Sequence, residues 1–273
     1  MKYSVCQWIY GDEPIEKTMG RLARIGYDGV EIMASQRKAD VKQIRSLLGK
    51  HRLEATCITP PAEEDLSSPV GEVRKRAIAA YQESLDFAKK VGAHFMLVIP
   101  TAVPKIRPSQ SFQQERKLAV ESVKEVAEHA ERTDVLLAIE AINRYETHMV
   151  NTAESALEFA RDVDSDHVKI MLDAFHMNIE ERDTVEAIWK AKDELIHFHV
   201  AGNNRQSIAR GQINFIPIMR ALKEVGYKGA IGAEPTAPLH DPFQAAKDEE
   251  SRSLLDIYLD ESIKMLRLYE ATV

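Results

Sequence analysis

Along the chain, short runs rich in β-branched, aromatic and other apolar residues alternate with longer stretches in which apolar and charged positions recur at helical spacing. The short runs predict eight strands: YSVCQWI (3–9), DGVEIM (28–33), LEATCI (53–58), HFMLVI (94–99), VLLAIEAI (135–142), VKIMLD (168–173), LIHFHVA (195–201) and GAIGAE (229–234). The longer stretches predict helices near 13–25, 39–51, 70–91, 113–132, 152–163, 182–193, 214–225 and 244–270, one after every strand. In RIGYDG, KVGAHF and EVGYKG a glycine follows the last apolar-periodic residue, where a left-handed C-cap favours a residue without a Cβ. The likeness of ARIGYDGVEI to KEVGYKGAIGAE repeats this helix–glycine–strand joint inside the chain.

Eight βα units with short connections predict an α/β protein folded as a single (β/α)8 TIM barrel over residues 1–273. An open doubly wound sheet would use fewer strands, and no glycine-rich phosphate fingerprint follows any strand here. No linker or compositional break divides the chain. The longest irregular pieces, TPPAEEDLSSP (59–69) and PTAVPKIRPSQS (100–111), follow the third and fourth strands and are candidate lids at the C-terminal face.

Composition narrows the function. With 44% hydrophobic and 29% charged residues the chain has ample material for a core. A net charge of -7 and a pI near 5.8 argue against a phosphate-neutralising surface, so nucleic acid is not an expected partner. Two cysteines, Cys6 and Cys57, and the lack of a charged-then-apolar leader make a reducing cytoplasm the expected location. No apolar run is long enough to predict a membrane span.

The C-terminal ends of barrel strands converge, so equivalent strand ends share one site. The fifth strand ends with Glu140, the sixth with Asp173, the seventh with His199 and the eighth with Glu234. A single acid at a strand end is ordinarily a helix N-cap or an ion-pair partner. Four metal-capable side chains on consecutive strands instead predict an oxygen-rich site suited to Mn2+, Mg2+ or Co2+ rather than structural zinc. Without a cation, the three carboxylates would repel one another and one would take up a proton. Glu146, His176 and Arg205 each follow their strands by one loop, while Asn143 and Arg144 suit loop-tying roles. Trp8 and Cys57, at the ends of the first and third strands, are candidate lining residues, although Trp on a strand is ordinarily packing and Cys57 reads as filler. His197 shares the inward parity of His199 and is expected to be satisfied by neighbours rather than to bind metal. Glu31, His94 and His148 receive no role.

IEAINRYE, LDAFHMNIEE, HFHVAGNNR and GAEP resemble the motifs of the xylose isomerase-like TIM-barrel superfamily, most closely its D-tagatose and D-psicose (D-allulose) 3-epimerase branch. The specific likeness spans residues 135–236, and the amino-terminal third agrees only in layout, as in GYDGVEI. The resemblance implies Glu140, Asp173, His199 and Glu234 as ligands of a divalent ion, manganese first, with magnesium, cobalt or zinc as alternatives. It implies Glu146, His176 and Arg205 on the oxygens of a small sugar, and a homodimer or homotetramer. The likeness departs around the first strand and the loop after the fourth, which leaves the sugar open.

The chemistry implied is removal of a weakly acidic proton next to a keto group, through a cis-enediolate, with Glu140 and Glu234 as the two bases on opposite faces of the carbon. C3 epimerisation of a ketose is the first expectation. Alternatives are an aldose–ketose isomerase resembling hydroxypyruvate isomerase, an epimerase of keto-sugars or keto-glycosides, an inosose dehydratase and a non-catalytic sugar-binding barrel. A related endonuclease would need a histidine-rich trinuclear zinc site and a basic face.

Overall fold

Eight parallel strands close on themselves in sequence order in the computed structural model, which describes residues 1–243 and 245–273. They are β1 (Lys2–Cys6), β2 (Gly29–Met33), β3 (Glu54–Thr59), β4 (Phe95–Val98), β5 (Leu136–Glu140), β6 (Val168–Asp173), β7 (Leu195–Val200) and β8 (Ala230–Ala233). The helices are α1 (Ile15–Ile25), α2 (Val41–His51), α3 (Gly71–Val91), α4 (Phe112–Thr133), α5 (Ala153–Val163), α6 (Ala174–Glu180), α7 (Thr184–Ala191), α8 (Phe215–Glu224) and α9 (Glu249–Thr272). The expected TIM barrel is therefore present, with its eight helices and one more.

Two local expectations are corrected. β1 stops at Cys6, and Gln7–Tyr10 turns into a 3-10 helix, so Trp8 stands on a turn rather than a strand. Gln7 fixes that turn, because its buried side-chain oxygen accepts from the Met33 backbone N–H at 3.1 Å. The second correction is α6, which occupies what the pattern left as a loop, and His176 lies on this helix. Asp173 starts α6 by accepting the Phe175 N–H at 2.8 Å, an N-cap bond made by the same residue that ends β6.

Helix ends follow the chemistry read from the chain. Gly26 and Gly92 cap α1 and α3 at φ of 101° and 90°, a region in which a Cβ would be strained. Arg52, Asp134 and Asp164 take the same left-handed position after α2, α4 and α5. Most of the buried apolar side chains lie between the sheet and the helical ring. A small group inside the barrel, with Cys57, Phe95, Leu97, Ala138 and Met171, fills the lower layers beneath the strand ends. The ring closes where α9 meets α1 and α8. There Tyr10 donates to Asp256 at 2.7 Å and Arg21 pairs with the same carboxylate at 2.8 Å.

No helix among the described residues is long and apolar enough to cross a membrane.

Candidate active site

Strand register brings the acids to one level. Asp173 on β6 pairs with His199 on β7, which pairs with Gly232 on β8, and Glu234 follows β8 directly. Glu140 closes β5. All four functional side chains are buried at the strand ends. Ligand atoms of Glu140, Asp173 and His199 lie within 4.8 Å of one another, and His199 Nδ1 lies 3.7 Å from Glu234 Oε2.

Arg205, in the loop after β7, reaches into this cluster. Its Nη1 donates to Glu234 Oε2 at 2.7 Å and to Asp173 Oδ2 at 3.0 Å, and its Cζ lies 4.1 Å from the centre of the Phe175 ring. The residue holds a positive φ of 57°, strain that the surrounding contacts sustain. Asp173 thus divides its oxygens, Oδ1 to the helix cap and Oδ2 to Arg205.

Asn143 Nδ2 donates to His176 Nδ1 at 2.7 Å, which leaves the proton of a neutral ring on Nε2, 3.2 Å from Arg205 Nη2. Burial, joined by the charge of Arg205, outweighs Asp173 and lowers its pKa to about 3, so the ring is neutral. The same Asn143 amide donates to Glu146 Oε1 at 2.8 Å. Asn143 therefore ties two expected substrate-binding residues together. Trp8 donates its indole N–H to Glu234 Oε1 at 2.7 Å and stacks on Phe243, with ring centroids 5.4 Å apart.

Burial acts first on these groups, and neighbouring charges then divide them. Burial, with Glu234 and Asp173 nearby, raises Glu140 to about 8 against the pull of His199 and Arg205. Burial would also raise Asp173, but Arg205, His176 and His199 hold it below the ordinary carboxylate value. His199 goes the other way: burial disfavours its charge, yet Glu31 and Glu234 raise it to about 10.

A divalent cation fits this donor set. His199 Nδ1 is buried with no hydrogen-bond partner among the described residues, and a cation that displaced its proton would find this nitrogen beside carboxylate oxygens. Cys6 forms a neighbouring triplet with His199 and Glu234, but its thiol already donates to Glu31.

Glu31, to which the sequence pattern gives no role, bonds directly to His199. Fully buried on β2, it accepts from Ser4 Oγ at 2.7 Å, His197 Nε2 at 3.0 Å and His199 Nε2 at 2.8 Å. Burial would raise its pKa, but His199 and His197 hold it well below the ordinary value. His197 is expected to be satisfied by neighbours, but only its Nε2 is paired, with Glu31, while its Nδ1 is buried without a hydrogen-bond partner among the described residues. Cys57 lies below the site, donating to Glu31 at 3.4 Å, and is not a lining residue. The signal available was a charge at the centre of a buried parallel strand, where an unpaired carboxylate is costly.

The two expected lids are bound to each other. Val103 N–H donates to Ala62 O at 2.9 Å, and Lys105 Nζ reaches Asp65 at 2.8 Å and Glu115 at 3.0 Å. Lys105 N–H also donates to Glu146 O at 2.8 Å, joining the clamp to the loop after β5. His148 donates from Nδ1 to Lys105 O at 2.9 Å. A cavity of about 1380 Å3 opens at the opposite mouth, beside Lys2, His94, Lys192 and Lys228, and contains none of the clustered acids.

A family model described as xylose isomerase-like TIM barrel matches residues 19–256. The D-psicose 3-epimerase of Ruminiclostridium cellulolyticum is 35% identical over 223 residues, covering 79% of this chain and 76% of that protein. The 3-dehydro-D-guloside 4-epimerase of Escherichia coli is 26% identical over 255 residues, covering 91% of this chain and 97% of that protein. The crystal structure of D-psicose 3-epimerase with D-tagatose from Clostridium cellulolyticum H10 superimposes with a TM-score of 0.88 at 29% identity, covering 99% of each chain.

Proposed function

Because the chain belongs to the xylose isomerase-like TIM-barrel family, we propose that it is a divalent-metal-dependent epimerase acting at C3 of a free ketose. The observation that carries this reading is the placement of Glu140 and Glu234 beside His199, whose Nδ1 has no hydrogen-bond partner among the described residues. A sugar-binding barrel needs a shaped pocket but not two carboxylates beside one imidazole.

Glu140, Asp173, His199 and Glu234 would hold the ion, with manganese the first expectation. When bound, it supplies Lewis acidity that polarises the substrate carbonyl. Glu140 and Glu234 perform the proton transfers: one takes the proton from C3, and the other returns a proton to the opposite face, inverting the carbon. Their roles exchange with the direction of reaction. The Trp8 indole N–H orients Glu234 for this task. Arg205 donates to oxygen where the negative charge of the cis-enediolate builds up, and neutral His176 supplies a ring N–H there without adding charge. Glu146, held by Asn143, accepts from a more distant hydroxyl.

A second substrate class is a 3-keto glycoside, favoured by the match over nearly all of the Escherichia coli 4-epimerase. It calls for the same proton chemistry at C4, the carbon next to a carbonyl at C3. Incubation in D2O with D-psicose, D-fructose and a 3-keto glycoside, followed by NMR of the recovered sugars, separates these readings. Deuterium at C3 of the ketoses is expected, and Glu140→Gln and Glu234→Gln should each abolish it while the circular dichroism spectrum is retained. Full exchange in either variant refutes the two-base assignment, and deuterium confined to C4 of the glycoside selects the second class.

A further inference from the structure

Beneath the acid cluster, one carboxylate gathers five donors from three strands. Ser4 Oγ and His197 Nε2 lie on Glu31 Oε1 at 2.7 and 3.0 Å, while His199 Nε2, Cys6 Sγ and Cys57 Sγ lie on Oε2 at 2.8, 3.2 and 3.4 Å. All six residues are buried. β8 leaves room for this arrangement only because residue 232 is glycine: a Cβ there would stand 2.1 Å from Glu31 Oε1 and 2.7 Å from His199 Cδ2.

We propose that Glu31 is a positioning residue that fixes His199 in its Nε2–H tautomer, turning the Nδ1 lone pair toward the mouth of the barrel and setting the affinity of the metal site. The inference rests on the metal-site reading above. A carboxylate only accepts, so the His199 nitrogen 2.8 Å from Glu31 must carry a proton. When a cation takes the place of the second ring proton, the other nitrogen is the one that binds it, and among the described residues His199 Nδ1 is the atom beside Glu234 without a hydrogen-bond partner. Partners that hold the far nitrogen of a metal-binding imidazole fix its tautomer and ring orientation, and losing them weakens metal binding by about 10- to 100-fold. Glu31 reaches neither substrate nor ion in this scheme and acts through His199 alone.

Glu31→Gln preserves shape but places an amide N–H in the cluster. With that N–H on His199 Nε2, the ring proton moves to Nδ1 and obstructs the cation. Calorimetric titration of the full-length protein with Mn2+ should show about 10- to 100-fold weaker binding in Glu31→Gln. Glu13→Gln, which alters a buried carboxylate paired with Arg21 away from the site, should bind Mn2+ as wild type does. Wild type that binds no Mn2+ overturns the metal-site reading itself. Wild type that binds while Glu31→Gln binds equally well, or Glu13→Gln loses as much, overturns the role of Glu31 alone. Should Glu31→Gln fail to fold, nitrogen-15 NMR of the Mg2+-loaded wild-type protein decides: His199 protonated at Nε2 and bare at Nδ1 is expected, and a proton on Nδ1 overturns the proposal.

Discussion

Trp8 and Glu234, 226 positions apart in sequence, are joined by an indole hydrogen bond of 2.7 Å. Phenylalanine at position 8 would retain an aromatic face toward Phe243 but remove the donor. A hydrogen bond to a charged group contributes about 1.5–3 kcal/mol, equivalent to roughly 10- to 100-fold in rate if it orients the base. Trp8→Phe is therefore expected to lower kcat by about tenfold or more, with a smaller change in KM. Unchanged steady-state kinetics would show that Glu234 is held by other contacts.

Metal binding should also be visible in stability. A ligand present at about 100 times its Kd stabilises the folded state by about 2.7 kcal/mol, which for a chain of this size moves Tm by roughly 5–10 °C. Chelator-treated protein is expected to lose activity and to gain this increment when Mn2+ is restored, whereas Glu140→Gln gains less. A melting curve unmoved by Mn2+, Mg2+ and Co2+ would show that the acid cluster holds none of them.

Lys105 is paired with Asp65 and with the fully buried Glu115. Lys105→Met is expected to cost about 3 kcal/mol, because it leaves Glu115 without its nearest cation, and to expose residues 60–70 to proteolysis. Burial would raise the Asp65 pKa, but hydrogen bonds from Lys105 and Ser67 lower it. The contribution of Asp65 is thus complete above its unfolded value of about 3.9 and lost as pH falls through the lower folded value. The difference between wild type and Lys105→Met in urea unfolding should be full above about pH 4 and should narrow below it. A constant difference would assign the stabilisation to packing.

Gly232→Ala tests the crowding around Glu31. Overpacking of this kind costs about 1–3 kcal/mol, and the added methyl would drive Glu31 and His199 from their present positions. Thermal melts should show the loss of stability and calorimetry the loss of Mn2+ affinity. Native values of both would mean that β8 shifts to accept the methyl group.

The barrel could be read from the chain because its strands are buried, regularly spaced and separated by amphipathic helices. The three acids at 140, 173 and 234 and the histidine at 199 stand out because convergence of strand ends makes equivalent positions comparable. α6 did not, since its seven residues are too few to establish helical periodicity and its cap, Asp173, also ends a strand. The turn at Gln7–Tyr10 looked like more strand because QWIY is as apolar and aromatic as β1 itself; the contact that bends it, Gln7 to Met33, lies 26 positions away. Glu31 escaped for the same reason: each donor that makes its burial tolerable comes from a distant segment.

The divided carboxylate of Asp173 makes two selection pressures inseparable at one codon. Asparagine would preserve the start of α6 while surrendering the anionic charge, whereas alanine would surrender both. Improving the cap and improving the ligand are therefore not independent routes of adaptation: a change at this position that alters the cation's grip must also be accommodated by the helix bearing His176.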